Sequence, residues 1–422
     1  MRKKFLSFAF IATMLLTGVA FTSCDDDDDD GYYDLESTIS FENKISLKEF
    51  VQSGTFKGSG QDVIQPGQSV EIKFYAGKGQ RVMFAMMYGY SNDIFFAPEN
   101  PGLELFTSEG VAITGDVSSK IHMWDNGTRV NQQPGSGVTH PGTAQDGTIK
   151  KIETQDSEGN LYRPASELVN LNLAYDNVTS QFTLTIKNNS GGTINETPLS
   201  PGVWVVSNVL DGELIKKEPF FVEGQKSSPQ LTALAETGNN TSLATMVDGM
   251  TGIITGLSPV VIVVYTGDVN PIYQLNQKDA NIGLKELAQK GDASKLKSSL
   301  EGMTNVRYVY VAGSRAIAPG QGVETKFKAW DGDKIAYATM FGYSNDWFYS
   351  NSESLSADFK GDLTGKTVLL DNGTGVSQYP GAGNHQALFG GTPQAEDKVI
   401  TPVNQSLFPI PTVVNTIKVT IK

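Results

Sequence analysis

The chain has 422 residues, with 46 acidic against 33 basic side chains, a formal net charge of −13 and one cysteine. An acidic balance without clustered Lys and Arg excludes a nucleic-acid partner, because phosphate binding needs a basic patch. A single cysteine excludes an internal disulfide framework.

In chain order, Met1-Arg2-Lys3-Lys4 is a basic start, followed by an uncharged stretch from Phe5 to Ser23 rich in Phe, Ala, Leu, Ile and Met. This layout predicts a secretory signal over residues 1–23, removed rather than spanning a membrane. The junction Phe21-Thr22-Ser23-Cys24 places the only cysteine after small residues. That position predicts lipidation of Cys24 and anchoring of the exported chain to a membrane. Asp25 to Asp30 is a run of six aspartates before Gly31. Such a run repels itself and behaves as a solvated spacer, so residues 24–35 read as a lipidated acidic tether. Without the run and the three basic residues of the start, 40 acidic and 30 basic residues remain, a modest excess. No other stretch approaches the ~18 consecutive apolar residues of a membrane span.

Beyond the tether the chain is duplicated. Pro66-Gly67-Gln68-Ser69-Val70-Glu71-Ile72-Lys73-Phe74 matches Pro319-Gly320-Gln321-Gly322-Val323-Glu324-Thr325-Lys326-Phe327. The same offset carries Gly89-Tyr90-Ser91-Asn92-Asp93 onto Gly342-Tyr343-Ser344-Asn345-Asp346. After a shift, Gly115-Asp116-Val117 falls on Gly361-Asp362-Leu363, Asp125-Asn126-Gly127-Thr128 on Asp371-Asn372-Gly373-Thr374, and Pro134-Gly135-Ser136-Gly137 on Pro380-Gly381-Ala382-Gly383. The strands Phe182–Lys187 and Ile417–Lys422 are taken as the matching ends of the two halves.

Val70, Ile72 and Phe74 alternate with polar residues, the period of a half-buried strand, whereas Arg81 to Tyr88 and Lys334 to Phe341 are continuously apolar and fit central strands covered on both faces. Gly and Pro clusters at short spacing complete the pattern of antiparallel sandwiches. Val203–Val206 and Val261–Val264 each precede two short helical pieces, with Ser228-Pro229 and Asp292 at expected helix starts. With a boundary in the turn-rich Asn188–Gly192, the expected fold is mainly β. It consists of one antiparallel sandwich over 36–190 and a second over 191–422 that carries a tandem strand–helix insertion.

Leu199-Ser200-Pro201-Gly202-Val203, Leu231 to Glu236, Ala318-Pro319-Gly320-Gln321, Ala338-Thr339-Met340, Ser344-Asn345-Asp346 and Asp371-Asn372-Gly373-Thr374 resemble the spondin N-terminal domain as bacteria carry it. The resemblance covers most of 195–395 and, less completely, 60–145. It implies an antiparallel sandwich, an adhesion role as in animal matrix proteins, and a calcium ion at the sandwich loops. The chain departs from animal members by lacking their cysteines and by the helical insertion. The acidic run after Cys24 likewise resembles the signals of Bacteroides-type surface lipoproteins, which implies display outward from the outer membrane.

The repeated loops carry the candidate site. Calcium takes six to eight oxygen ligands, and Asn92, Asp93, Asp125 and Asn126 offer them in one half, as do Asn345, Asp346, Asp371 and Asn372 in the other. The competing reading is a tight hairpin turn centred on Asn-Gly. Tyr90, Phe95, Tyr343, Trp347 and Phe348 surround Ser-Asn-Asp and are candidates for stacking on a sugar or anchoring a protein, with core positions as the alternative. Three histidines (His122, His140, His385) form no metal-binding spacing, and no nucleophile elbow, phosphate loop or dinucleotide fingerprint is present. The expectation is therefore a non-enzymatic surface module for an extracellular glycan or protein. A structural envelope lipoprotein is the alternative, and a metal-dependent hydrolase is less favoured.

Overall fold

The computed structural model describes residues 35–60 and 62–422, so the export segment, Cys24 and the aspartate run lie outside the described residues. The chain begins with β1 (Leu35–Asn43), β2 (Phe50–Phe56), β3 (Ser69–Tyr75), β4 (Arg81–Tyr88) and β5 (Ile94–Pro98). β6 (Leu103–Glu104), β7 (Gly115–Asp116), β8 (Ile121–Asp125) and β9 (Lys150–Ile152) follow. A single helical turn, α1 (Ala165–Leu168), leads into β10 (Val169–Asp176), β11 (Gln181–Asn188) and β12 (Leu199–Ser207). A short hairpin of β13 (Val209–Leu210) and β14 (Glu213–Leu214) precedes α2 (Pro229–Thr237) and α3 (Thr241–Gly249). Next come β15 (Val260–Tyr265), α4 (Leu284–Lys290), α5 (Ser294–Glu301), β16 (Val306–Ala312), β17 (Gly322–Ala329) and β18 (Lys334–Met340). The last strands are β19 (Trp347–Asn351), β20 (Leu355–Ser356), β21 (Gly361–Asp362), β22 (Thr367–Asp371), β23 (Thr401–Pro402) and β24 (Ile417–Ile421).

The fold is mainly β, and its strands form two antiparallel sandwiches. The first faces a sheet ordered β3-β11-β10-β7 against one ordered β2-β12-β4-β5-β8-β9. The second repeats this with β17-β1-β24-β21 against β16-β15-β18-β19-β22-β23. The continuous apolar runs lie where both faces are covered. In β4, Val82, Phe84 and Met86 face the sandwich core, while Met83 and Ala85 face α2 and α3 with Leu231, Leu234 and Leu243. β15 divides the same way: Val260, Ile262 and Val264 point into the sandwich, and Val261, Val263 and Tyr265 pack with Leu284, Leu287, Leu296 and Leu300 of α4 and α5. At the start of α2, Ser228 Oγ accepts the Leu231 N–H at 3.2 Å and Pro229 occupies the first turn. This is the cap that its sequence predicts.

Two assignments need correcting. The tandem strand–helix units do not both belong to the second sandwich: β12 pairs with β2 and β4, and its helices cover the first sandwich. The turn at Asn188–Gly192 therefore does not separate the two cores. In addition, β24 is not the counterpart of β11. β24 lies beside β21, the place that β10 takes beside β7. The position of β11, second from the sheet edge, is filled by β1, which lies between β17 and β24.

The reason is visible at the strand ends. Asn43 Nδ2 donates to the carbonyls of Thr255 (2.8 Å) and Ile317 (3.1 Å), while its Oδ1 accepts the Ile45 N–H. Asn188 Nδ2 donates to Ile64 (2.8 Å) and Thr197 (2.7 Å), and its Oδ1 accepts the Ser190 N–H. The same asparagine lock thus ends β1 and β11. Each sandwich is permuted relative to the other, and the second is completed by a strand from the far end of the sequence. Ser40 and Thr420, 380 positions apart, join hydroxyls at 2.6 Å across that closure.

Asn43 is fully buried, so Asn43→Ala removes the side-chain partner of the Thr255 carbonyl and of the Ile45 N–H, and leaves the Ile317 carbonyl with the Leu257 N–H alone. The expected loss is about 2–3 kcal/mol, measured by urea denaturation; a loss within error of zero would contradict the role given to this lock.

Candidate functional site

The Ser-Asn-Asp segments form the tight connections from β4 to β5 and from β18 to β19. Ser91 Oγ donates to Tyr88 O (2.6 Å) and accepts the Ile94 N–H (3.1 Å); Ser344 does the same with Phe341 (2.6 Å) and Trp347 (3.0 Å). The bracing seats the following aspartates inside the protein. Asp93 and Asp346 have no exposed surface.

Each buried carboxylate is half satisfied. Asp93 Oδ2 accepts the Thr128 N–H (2.7 Å), the Thr128 hydroxyl (3.0 Å) and the Arg129 N–H (2.8 Å). Asp346 Oδ2 accepts the Thr374 N–H (2.6 Å), the Thr374 hydroxyl (3.0 Å) and the Gly375 N–H (2.8 Å). The Oδ1 atoms of both are buried without a hydrogen-bond partner, as are the side-chain oxygens of Asn126 and Asn372. Beside them, Asp125 Oδ1 accepts the Gly127 N–H (2.7 Å) and Asp371 Oδ1 the Gly373 N–H (2.8 Å).

Asn126-Gly127 is not the centre of a two-residue hairpin, since the next partner of β8 is β9, which starts only at Lys150. It is an aspartate-capped turn opening a long loop. Gly127 has φ +74°, and a Cβ there would sit 2.6 Å from the Thr148 carbonyl, so the position needs glycine. Helices close the sites from outside: Asn126 Nδ2 donates to Thr232 of α2 (3.2 Å), Arg129 pairs with Glu236 of α2 (2.8 Å), and Gln289 of α4 donates to Thr374 Oγ1 (3.1 Å).

Burial, and secondarily the Asp93 charge, push the Asp125 carboxyl up to about 7. Burial also raises Asp93 against the opposing N–H bonds of Thr128 and Arg129. Asp346 and Asp371 are both raised, chiefly by burial, with the Asp371 charge adding to the rise at Asp346. Two carboxylates held out of water with unmet oxygens constitute a demand for positive charge or for protons.

The expected cation ligands thus separate into two groups. Asp93, Asp125 and Asn126, and Asp346, Asp371 and Asn372, meet at the two turns. Asn92 and Asn345 instead position the loops, since their Oδ1 atoms accept the N–H groups of Gln132 and Gln378, both at 2.9 Å. Among the described residues no group of three His, Cys, Asp or Glu is arranged around a metal position; the donors here are two carboxylates and an amide per turn.

The aromatic candidates are not a recognition surface. Phe95, Trp347, Phe348 and Tyr343 are 0, 1, 0 and 6% exposed, and Tyr90 is half-buried. β5 and β19 lie inside their sheets, so one face meets the sandwich core and the other the outer cover: Phe95 packs edge-on against Phe221, Phe348 against Tyr273, and Trp347 against Phe408. His122 lies 3.6 Å from Glu99, and His385 Nε2 lies 3.1 Å from Asn177 O.

The loops opened by the two turns have different fates. In the second copy, Tyr379 stacks on Tyr75 (5.1 Å), Gly381 O accepts Gln80 Nε2 (2.8 Å), the Asn384 N–H reaches Ser180 Oγ (3.0 Å) and Ala382 is buried in the first core. Gly77 allows this, because a Cβ there would lie 2.9 Å from the Phe389 ring. In the first copy the counterparts Ser136, Gly137, Thr139 and His140 are exposed.

The sequence matches no protein-family model and no curated protein sequence.

Of the four tryptophans, Trp124, Trp204 and Trp347 are buried and Trp330 is 40% exposed. Acrylamide should quench a single accessible component that Trp330→Phe removes; ready quenching of Trp347 in that variant would contradict the burial described. For Asp125, the folded state holds a proton up to about pH 7 that the unfolded chain releases near the ordinary carboxylate value of about 4. In chelator, the stability of the wild type relative to Asp125→Asn should therefore fall as pH rises through that window. A flat difference in melting temperature between pH 4 and 8 would contradict it.

Proposed function

We propose that the chain is a lipid-anchored, outward-facing, non-enzymatic binding or adhesion module whose loops are stiffened by calcium. The observation that carries the cation reading is the pair of buried carboxylate oxygens without partners, Asp93 Oδ1 and Asp346 Oδ1. A buried charge costs several kcal/mol unless compensated. Asp93, Asp125 and Asn126, and in the second copy Asp346, Asp371 and Asn372, supply the hard oxygens calcium prefers. An ion at such a turn would neutralise the paired carboxylates and fix the start of the loop that follows.

The binding reading is supported by the two loops. The loop after Asp371 already serves as a docking element, seated on the first sandwich, and its counterpart over residues 129–148 offers backbone and polar side chains to solvent. We assign that face to an extracellular glycan or protein. The aspartate-rich tether after Cys24 supports outward display at the outer membrane, and the quoted blocks support kinship with bacterial spondin N-terminal domains. Among the described residues no helix is long and apolar enough to cross a membrane.

Calcium at a hundredfold excess over its Kd should stabilise the fold by about 2.7 kcal/mol relative to chelator and protect residues 129–148 from protease. No shift in melting temperature and unchanged cleavage would overturn the cation reading. Survival of the protein on protease-treated intact cells, with loss only after lysis, would overturn outward display.

A further inference from the structure

The two carboxylate pairs are related by the duplication but not equally finished. We propose that only the first is a complete cation site, with Asn131 as an additional side-chain ligand, and that Trp347 and Ser377 have closed the second; this rests on the cation reading above.

The hydrogen-bond pattern fixes the correspondence. Ile94 and Trp347 occupy the same place, since each donates its N–H to the serine three residues earlier. Asn131 and Ser377 also correspond, because the residue after each, Gln132 or Gln378, donates its N–H to Asn92 or Asn345 at 2.9 Å. In the second copy Trp347 Nε1 donates to Ser377 Oγ (2.9 Å), and that hydroxyl donates to Asp371 Oδ2 (2.9 Å). With Gly373 N–H on Oδ1, both oxygens of Asp371 are occupied, and the Phe408 ring packs edge-on over the indole at 5.2 Å.

The first copy lacks the counterparts of both bonds. Isoleucine carries no side-chain N–H, and Asp125 Oδ2 receives no hydrogen bond among the described residues. Asn131 is 5% exposed, yet neither its amide oxygen nor its amide nitrogen has a partner. Its backbone carbonyl is held by Asn160 Nδ2 at 3.2 Å, so the residue is tied in place while its side chain is unsatisfied. A buried primary amide is costly to leave unbonded, and a hard cation bound by the amide oxygen offsets that cost. The cover differs in the same sense. After β9, Asp156 and Glu158 add negative charge felt at Asp125, where the segment after β23 brings Phe408. Asp156 accepts bonds from Asn160 and the Tyr162 hydroxyl (2.7 Å), so it contributes field rather than a ligand.

Calorimetric titration of the calcium-stripped full chain with calcium chloride tests this. The expected result is one ion per chain, with affinity reduced about tenfold or more by Asn131→Ala and largely retained by Asn131→Asp. Opening the second pair with Trp347→Ile and Ser377→Asn together should raise the count to two. A melting curve of each variant in chelator separates lost binding from lost fold. Two ions in the unaltered chain, or one ion insensitive to Asn131→Ala in a folded variant, would overturn the asymmetry while leaving the cation reading standing. No bound ion would overturn both.

Discussion

A carboxylate removed from water must be hydrogen-bonded, paired or protonated, and the loop architecture is organised around two aspartates for which this is only half done. One oxygen of Asp93 gathers the N–H groups of Thr128 and Arg129, and one oxygen of Asp346 those of Thr374 and Gly375. These bonds join the β4–β5 and β18–β19 connections to the turns after β8 and β22. They thereby set where the long loops leave each sandwich. Positive charge at the remaining oxygen would convert a strained arrangement into a rigid one, which is why the cation reading and the loop reading are one account.

Duplication supplied two such centres, and permutation joined them. The strands of the first sandwich run without interruption from β2 to β12, whereas the second is completed by β1, which precedes the whole of the first. β1 lies in the interior of its sheet, held by β17 on one side and β24 on the other. The described chain thus enters the fold through a strand that cannot detach without opening the sheet. Docking of the Tyr379–Phe389 segment on Tyr75 and Gly77 adds a second link between the sandwiches. The two loops match in sequence, but one is consumed in that contact and the other lies exposed.

Much of this was legible in the sequence. The matched blocks, the alternation of Val70, Ile72 and Phe74, the doubly covered run at Arg81–Tyr88 and the Ser228-Pro229 helix start correspond to what the strands and α2 show. The permutation was hidden because Ile417–Lys422 resembles β11 in composition while Leu35–Asn43 resembles it in role. The signal was a single residue, the asparagine ending each strand. The aromatic residues misled for a related reason. Trp347 and Phe95 adjoin polar loop residues in sequence, but a strand covered on both faces turns its neighbours inward whatever the loop contains. Asn131 carries no signal of its own in the sequence, since an isolated asparagine in a polar loop is ordinary until its burial is known. The hydrogen bonds from Trp347 through Ser377 to Asp371 show what stands in the second copy where the first has the unsatisfied amide of Asn131.

The most direct measurement of the central claim is X-ray diffraction from crystals grown with calcium, using the anomalous signal to locate the ion. The account predicts a peak within about 2.3–2.6 Å of Asp93 Oδ1, in contact with the Asp125 carboxylate. Clear density for both carboxylates with no peak beside them, at calcium concentrations saturating for ordinary extracellular modules, would contradict it.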